Sequence, residues 1–340
     1  MTRAKRLLGL DLGTSSVKAV ELTREGNALA VTAAAQAPVT SPAELTASIR
    51  EVLRRGAFHT KLTCLNVSGR LVSVKYITLP AMEDADLKKA LPFEADKHIP
   101  FEVGDACLDG QRIGEASPGA KEMTAVLAAA KRNLVLERSQ LATFCGLAPA
   151  IVDVDVFAIG NAFSLGAGGD PAKAAGQDAS VAIVDLGASK TSVNILGGRT
   201  DTRFTREIYV GGNDVTEVIA KRLSLPPAQA ETTKCAPGGR EKDCQDAQAT
   251  TLEDLANEVR MSLEFYENQF ESAVAEVCLC GGGALLSGLA ETFQHALGKP
   301  TRVWNPFQGL PTGPGMDPAA TASGVGFAVA LGLASRLRSL

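Results

Sequence analysis

The chain has 340 residues, 45% of them hydrophobic, and a formal net charge of −4 from 34 basic and 38 acidic side chains. That length and apolar content suit two folded domains with sub-domains. The acidic balance, with 3 Tyr and 1 Trp in the whole chain, argues against a basic, aromatic-rich surface for nucleic acid. The opening apolar run stops at Asp11 and the late run at 325–334 is short, so neither approaches the roughly 20 residues of a membrane span. A cytoplasmic protein is expected. Seven cysteines with no C-x-x-C pair fit a reducing compartment. His59, His98 and His295 are scattered, and no structural metal is expected.

In chain order, residues 7–39 read as three strands, and 42–56 as a helix with Leu45, Ile49, Val52 and Leu53 at helical spacing. Strands follow at 62–67 and 72–79, then a helix at 84–98, strands near 106–113 and 123–129, a helix at 134–145 and a strand at 150–154. Pro92 lies inside the 84–98 helix, where it removes a donor and crowds the preceding turn, so a break or kink is expected near Leu91. Residues 166–179 have little to bury and read as an exposed connector. A second strand pair follows, then helices at 214–223 and from 226, and a polar, mobile stretch at 236–249. The longest amphipathic helix is expected at 251–270, with Thr251 and Asp254 as its capping box.

One short pattern occurs twice, half a chain apart: LDLGTSSVKAV at 10–20 and VDLGASKTSVN at 184–194. Each joins two apolar runs through a tight turn, the signature of a strand hairpin. Gly13 and Gly187 allow successive N–H groups to converge, and Thr14, Ser15, Ser16, Ser189 and Thr191 add hydroxyl donors around Ala188, which makes two phosphate cradles. Asp11 and Asp185 would repel phosphate directly, but suit a magnesium ion held through water or an attacking water. Lys18, between Val17 and Ala19, is oddly placed unless an anion meets it, whereas Lys190 sits on the second turn and can instead be solvated. A third element, VCLCGGGALLSGLAE at 277–291, is a buried strand, then Gly281, Gly282 and Gly283, then a helix start. Such a joint lets the backbone approach a flat ring or a phosphate.

The order DLG, DLG, GGG resembles the phosphate-1, phosphate-2 and adenosine motifs of the actin-like ATPase superfamily, which includes actin, the heat-shock chaperone ATPases, FtsA and sugar kinases. The closest likeness is to the PilM family of type IV pilus assembly. It is carried by the opening LLGLDLGTSSVKAVEL, by LPAMEDADLKKALPFEADKHIPF, CGLAPAIVDVDVFAIGNAF and EVRMSLEFYENQF, and by Asn305-Pro306-Phe307. The resemblance implies an α/β, actin-like (ribonuclease H-like) two-domain fold with an inserted sub-domain of the FtsA and PilM type. The first domain would comprise 1–79 and 153–180, the insertion 80–152, the second domain 181–214 and 274–340, and a helical sub-domain 215–273. The C-terminal helix can return to the first domain.

The resemblance also implies roles. ATP with Mg2+ would sit in the cleft, with Lys18 on the phosphates and the base against 281–283. Glu231 and Lys234, in QAETTK, match the helix whose acid and lysine reach ribose or base in relatives. Asp153 falls where the superfamily polarises the attacking water, with Asp155 as its rival. Hydrolysis would be slow at most. The implied partner is the cytoplasmic N-terminus of a PilN-like inner-membrane protein, captured beside the insertion, where Ile99-Pro100-Phe101 offers an apolar lip. It would recruit the protein to the inner membrane alongside other pilus assembly proteins. The alternatives are a small-molecule kinase of the same superfamily and an FtsA-like filament protein. A kinase would need a catalytic Asp with substrate loops, or a zinc cluster, and neither is found. An FtsA-like protein would need a membrane-targeting tail, which RLRSL is not.

Overall fold

The computed structural model describes residues 4–26, 28–113, 121–166, 180–197 and 201–340. Nearly all of the expected 166–179 connector lies outside them. Two sheets repeat one construction. In the first, β1 (Arg6–Leu12) pairs antiparallel with β2 (Ser16–Glu25), and β2 with β3 (Ala28–Pro38). On the other side of β1, β4 (Leu62–Val67) and then β8 (Ala148–Val154) run parallel to it. In the second, β9 (Ser180–Leu186), β10 (Thr191–Gly197) and β11 (Asp201–Ile208) form the antiparallel run. Here β12 (Val274–Cys280) and β13 (Thr301–Val303) are the parallel pair. The orders are β14-β3-β2-β1-β4-β8, with β14 (Thr312–Met316) as an added edge, and β11-β10-β9-β12-β13. β1 and β9 are covered on both faces, and for that reason they are continuous apolar runs rather than alternations.

A third, smaller sheet has the order β5-β7-β6 and is antiparallel throughout: β5 (Val72–Pro80), β7 (Glu122–Lys131) and β6 (Ala106–Arg112). The insertion therefore begins before the expected boundary at 80. An alternating strand reads the same in either sheet, and the antiparallel pairing of β5 with β7, from Val72 opposite Ala130 to Pro80 opposite Glu122, assigns it. It also ends earlier. The helix α3 (Arg132–Phe144) packs on β4 and β8, and its Ala142 joins the first domain's core with Leu8, Leu10 and Ile49. That core is completed by the helix α1 (Leu45–Arg55).

The helix α2 (Asp84–His98) covers one face of the small sheet with Leu87, Leu91 and Ala95. It runs through Pro92 without ending, so of the expected break or kink the break does not occur. Pro92 is exposed, so the carbonyl that loses its partner faces water while the buried stripe holds the helix in place. In the second domain, α5 (Gly212–Leu223), α6 (Pro227–Cys235) and α7 (Glu241–Phe270) form a helical layer. The stretch expected to be mobile at 236–249 is largely the first turns of α7. Cys244 and Gln248 are buried, and Gln248 donates to the Ser287 carbonyl, so Thr251 lies in the helix interior and caps nothing. The chain closes with α8 (Leu289–Leu297), the short α9 (Pro318–Ala322) and α10 (Ala328–Ser335). α10 returns to the first domain, where it packs on β1 and β2 and against α4 (Asp155–Leu165). The fit is close: a Cβ at Gly9 would lie 2.0 Å from the Ala330 carbonyl oxygen, and one at Gly332 1.7 Å from that of Ala158.

Candidate functional site

The two repeated turns meet. Thr14 Oγ1, between β1 and β2, donates to Ser189 Oγ, between β9 and β10, at 3.3 Å. Beneath this contact the parallel strands end, the position where open α/β sheets bind ligands. Asp11 faces Lys18 across the first hairpin, with Lys18 Nζ 3.6 Å from its carboxylate. In the second hairpin Asp185 faces Ser192, so the two cradles differ in charge. Asn66, at the end of β4, donates to Asp11 at 3.1 Å and to Asp155 at 2.9 Å, while its own carbonyl accepts the Leu12 N–H at 2.8 Å. Lys190 is not solvated. It reaches Asp155 at 3.3 Å and also bonds Glu207.

The carboxylates are short of positive charge. Burial raises Asp11 to about 6, with Asp155 and Asp185 adding to the shift and Lys18 opposing it. Burial also raises Asp185, again against Lys18. For Lys190 burial acts downward, but Asp155 and Glu207 outweigh it and the net shift is upward. The third motif closes the site from the second domain. Gly281 holds φ +83°, where a Cβ would lie 2.5 Å from Asp185, and its N–H bonds the Val325 carbonyl at 3.0 Å. Gly282 faces open space, and a Cβ at Gly283 would meet Leu186 at 2.8 Å. Lys18 extends towards this motif, since a Cβ at Gly326 would lie 3.4 Å from its Cε.

The start of α5 is tied to the second cradle. Gly212 N–H bonds the Gly187 carbonyl at 2.9 Å, and Asn213 N–H that of Ala188 at 2.8 Å. Lys234 Nζ donates to the Gly212 carbonyl at 2.9 Å, to Thr216 at 2.8 Å and to Glu231 at 2.6 Å. Lys234 thus spends its donors inside the protein, while the Glu231 side chain is half exposed.

Most sequence-derived candidates converge on this cleft, and Asp153 does not. Its carboxylate accepts Arg336 Nε–H at 2.6 Å and the Val154 N–H at 2.9 Å, on the wall of a different cavity. The chain leaves β8 for α4 between the two acids, which carries Asp155 to the strand end beside Asn66. Arg336 arrives from the far C-terminus, a pairing that local sequence could not show. Sequence reading also missed Asn66, Glu207 and the Gly211-Gly212 pair. The last had a visible signal, a strand followed by two glycines and a helix start.

The second cavity has about 450 Å³ and lies between the small sheet and the first domain. Gln111, Val126 and Ala128 line one side, and Val152, Phe157 and Asn161 the other. Val126 and Ala128 point away from α2, whose face is set by Ala125 and Leu127. The proposed lip is therefore displaced, because Ile99 packs into the sub-domain's own core on the α2 side.

Two like-built domains, each opening with a hairpin cradle and meeting over buried carboxylates, define an actin-like fold. Solved structures with the same architecture include the ethanolamine utilization protein EutJ from Carboxydothermus hydrogenoformans, at 17% identity, 98% and 90% coverage of the two chains and TM-score 0.54. A glycerol dehydratase reactivase matches at 12% identity, 98% and 100% coverage and TM-score 0.53. Within that fold, the family model of the type IV pilus assembly protein PilM matches residues 9–339, and the chain belongs to the PilM family. It is similar to a chain of a PilM-PilN type IV pilus biogenesis complex at 30% identity, with 99% of each chain covered and TM-score 0.84. Among the described residues no helix is long and apolar enough to cross a membrane.

Proposed function

We propose that the chain binds Mg-ATP between the two hairpins and uses the closed state to hold an extended cytoplasmic segment of a PilN-like membrane protein. The observation that carries the nucleotide reading is the shortage of positive charge around Asp11 and Asp185, directly beneath two hydroxyl-rich turns that touch across the domains. A cation suits that donor set. Asp11 and Asp185 would hold Mg2+ through water, and the ion would supply the positive charge that a polyphosphate needs beside carboxylates. Lys18 and the turns 13–16 and 187–191 bind phosphate oxygens. Glu231 and the open backbone at Gly282 face ribose and base. Asp155, held by Asn66 and Lys190, takes the water-orienting role first assigned to Asp153.

The partner reading is supported by the similarity to a chain of a PilM-PilN type IV pilus biogenesis complex. It is supported independently by the second cavity, which runs between two sheet edges, β6 and β8, whose free backbone groups can pair with an added strand. In a thermal-shift titration Mg-ATP should raise the melting temperature, and at 100 times Kd the gain is about 2.7 kcal/mol. Asp11→Ala or Lys18→Ala should weaken it. A short peptide copying the partner's cytoplasmic N-terminus should bind the wild type and fail with Val126→Trp, which fills the cavity. Absence of any calorimetric signal with Mg-ATP, or peptide binding indifferent to Val126→Trp, would remove the corresponding half of the reading.

A further inference from the structure

The turn at the root of the insertion touches the second domain. Between β4 and β5, Gly69 donates its N–H to Glu207 Oε1 at 3.2 Å. The next residue, Arg70, lays its guanidinium over the Tyr209 ring, 4.8 Å from the centroid, and Tyr209 donates its hydroxyl to Glu207 Oε2 at 3.2 Å. Two adjacent residues at the root of the small sheet are thus held by positions 207 and 209 of the second domain. The same Glu207 oxygen that accepts from Gly69 also accepts from Lys190, whose other partner is Asp155 of the first domain. The Glu207 and Lys190 side chains are 21% and 17% exposed, so neither charge can simply turn into water.

We propose that Glu207 is the contact through which nucleotide in the cleft and peptide in the seam, the second cavity between the small sheet and the first domain, influence each other. The inference rests on the functional reading above and adds a regulatory link between its two sites. The element has two states. In the first, Lys190 neutralises Glu207, whose hold on Gly69 is a shared, weakened hydrogen bond. In the second, a polyphosphate on the second cradle draws Lys190 to itself, because several negative oxygens compete there with a single carboxylate. Glu207 is then a partly buried anion with a cation removed, left with the Gly69 N–H and the Tyr209 hydroxyl, whose ring carries the Arg70 guanidinium. Hydrogen bonds to an uncompensated carboxylate are the stronger kind, so the turn is gripped more tightly. That turn leads directly into β5, so gripping it fixes the small sheet against the first domain and sets the width of the seam. Any differential affinity of nucleotide for the two states must then appear, by linkage, as an equal effect of peptide on nucleotide.

Hydrogen exchange and fluorescence anisotropy on the full chain test this. In the wild type, Mg-ATP should slow exchange at 69–71 and change the Kd of the peptide by about fivefold or more, the lower end of ordinary coupling. In Glu207→Gln, and in Arg70→Ala at an exposed position, both responses should shrink towards none. Mg-ATP should still raise the melting temperature of these variants, and the peptide should still bind. A wild-type protein that binds both ligands without mutual effect, or a Glu207→Gln variant with undiminished coupling, overturns the proposal. Lys190→Ala releases Glu207 without any ligand, so it reads the link even where nucleotide or peptide binding fails. Exchange at Gly69 should slow in that variant, and unchanged exchange overturns the link independently of the functional reading.

Discussion

At the scale of single residues, Asp11 sets function against stability. Its carboxyl titrates at about 6 in the fold against 3.8 as a free side chain, chiefly because it is buried. The folded state therefore holds a proton that the unfolded chain has released between those values. This group's contribution to stability falls as pH rises through that window, and the cost, on the order of 3 kcal/mol, is fully present above it. Asp11→Asn keeps an oxygen to accept from Asn66 and carries no charge. Without nucleotide it should be more stable than the wild type at pH 7.5, with the difference closing towards pH 4, and it should gain little from Mg-ATP. Urea denaturation at both pH values checks this, and a variant less stable than the wild type at pH 7.5 would contradict it. Gly281→Ala should act the other way. With φ +83° and ψ 167° and a Cβ position 2.5 Å from Asp185 and from the Leu186 carbonyl oxygen, it should lose at least about 1–3 kcal/mol in the same measurement.

At the scale of elements, α7 shows why part of the fold was legible and part was not. Its last five turns announce themselves through Leu252, Leu255, Val259, Leu263 and Tyr266, an apolar stripe at helical period. Its first turns carry mostly polar residues and a preceding glycine pair. They are helical because Cys244 and Gln248 find burial and a partner across the domain, information that no local window contains. The same distinction applies to β5, whose alternation was plain while its sheet was not, and to Asp153, whose partner lies at the far end of the chain. The hairpins are the opposite case in their backbone, since a strand–turn–strand pattern is written locally, although the partners of Lys190 on the second turn were not. The continuous helix makes a direct prediction at Thr251. A cap replaced by Ala loses about 1 kcal/mol, whereas an interior threonine replaced by Ala gains up to about 0.7 kcal/mol. Thr251→Ala should therefore be neutral or slightly stabilising by denaturant midpoint.

At the scale of the whole molecule, the chain's end completes its beginning. Leu7, on β1, shares a core with Ala330, Leu333, Ala334 and Leu337, so the first strand has one face filled by the last helix. Removing the residues from Ala328 onward should abolish the first domain's thermal transition while the second domain keeps its own, and an unchanged calorimetric profile from that truncation would refute the point. The arrangement also has a consequence for biosynthesis. A ribosome adds about 5–20 residues per second, so β1 leaves the exit tunnel tens of seconds before the helix that covers it exists. The second domain carries its own strands and helices in nearly contiguous sequence and can form while translation continues. The domain made first is thus the one finished last. During that interval its Leu7 face lacks the apolar packing that the helix supplies, and a chain stopped before Ala328 keeps that face bare permanently.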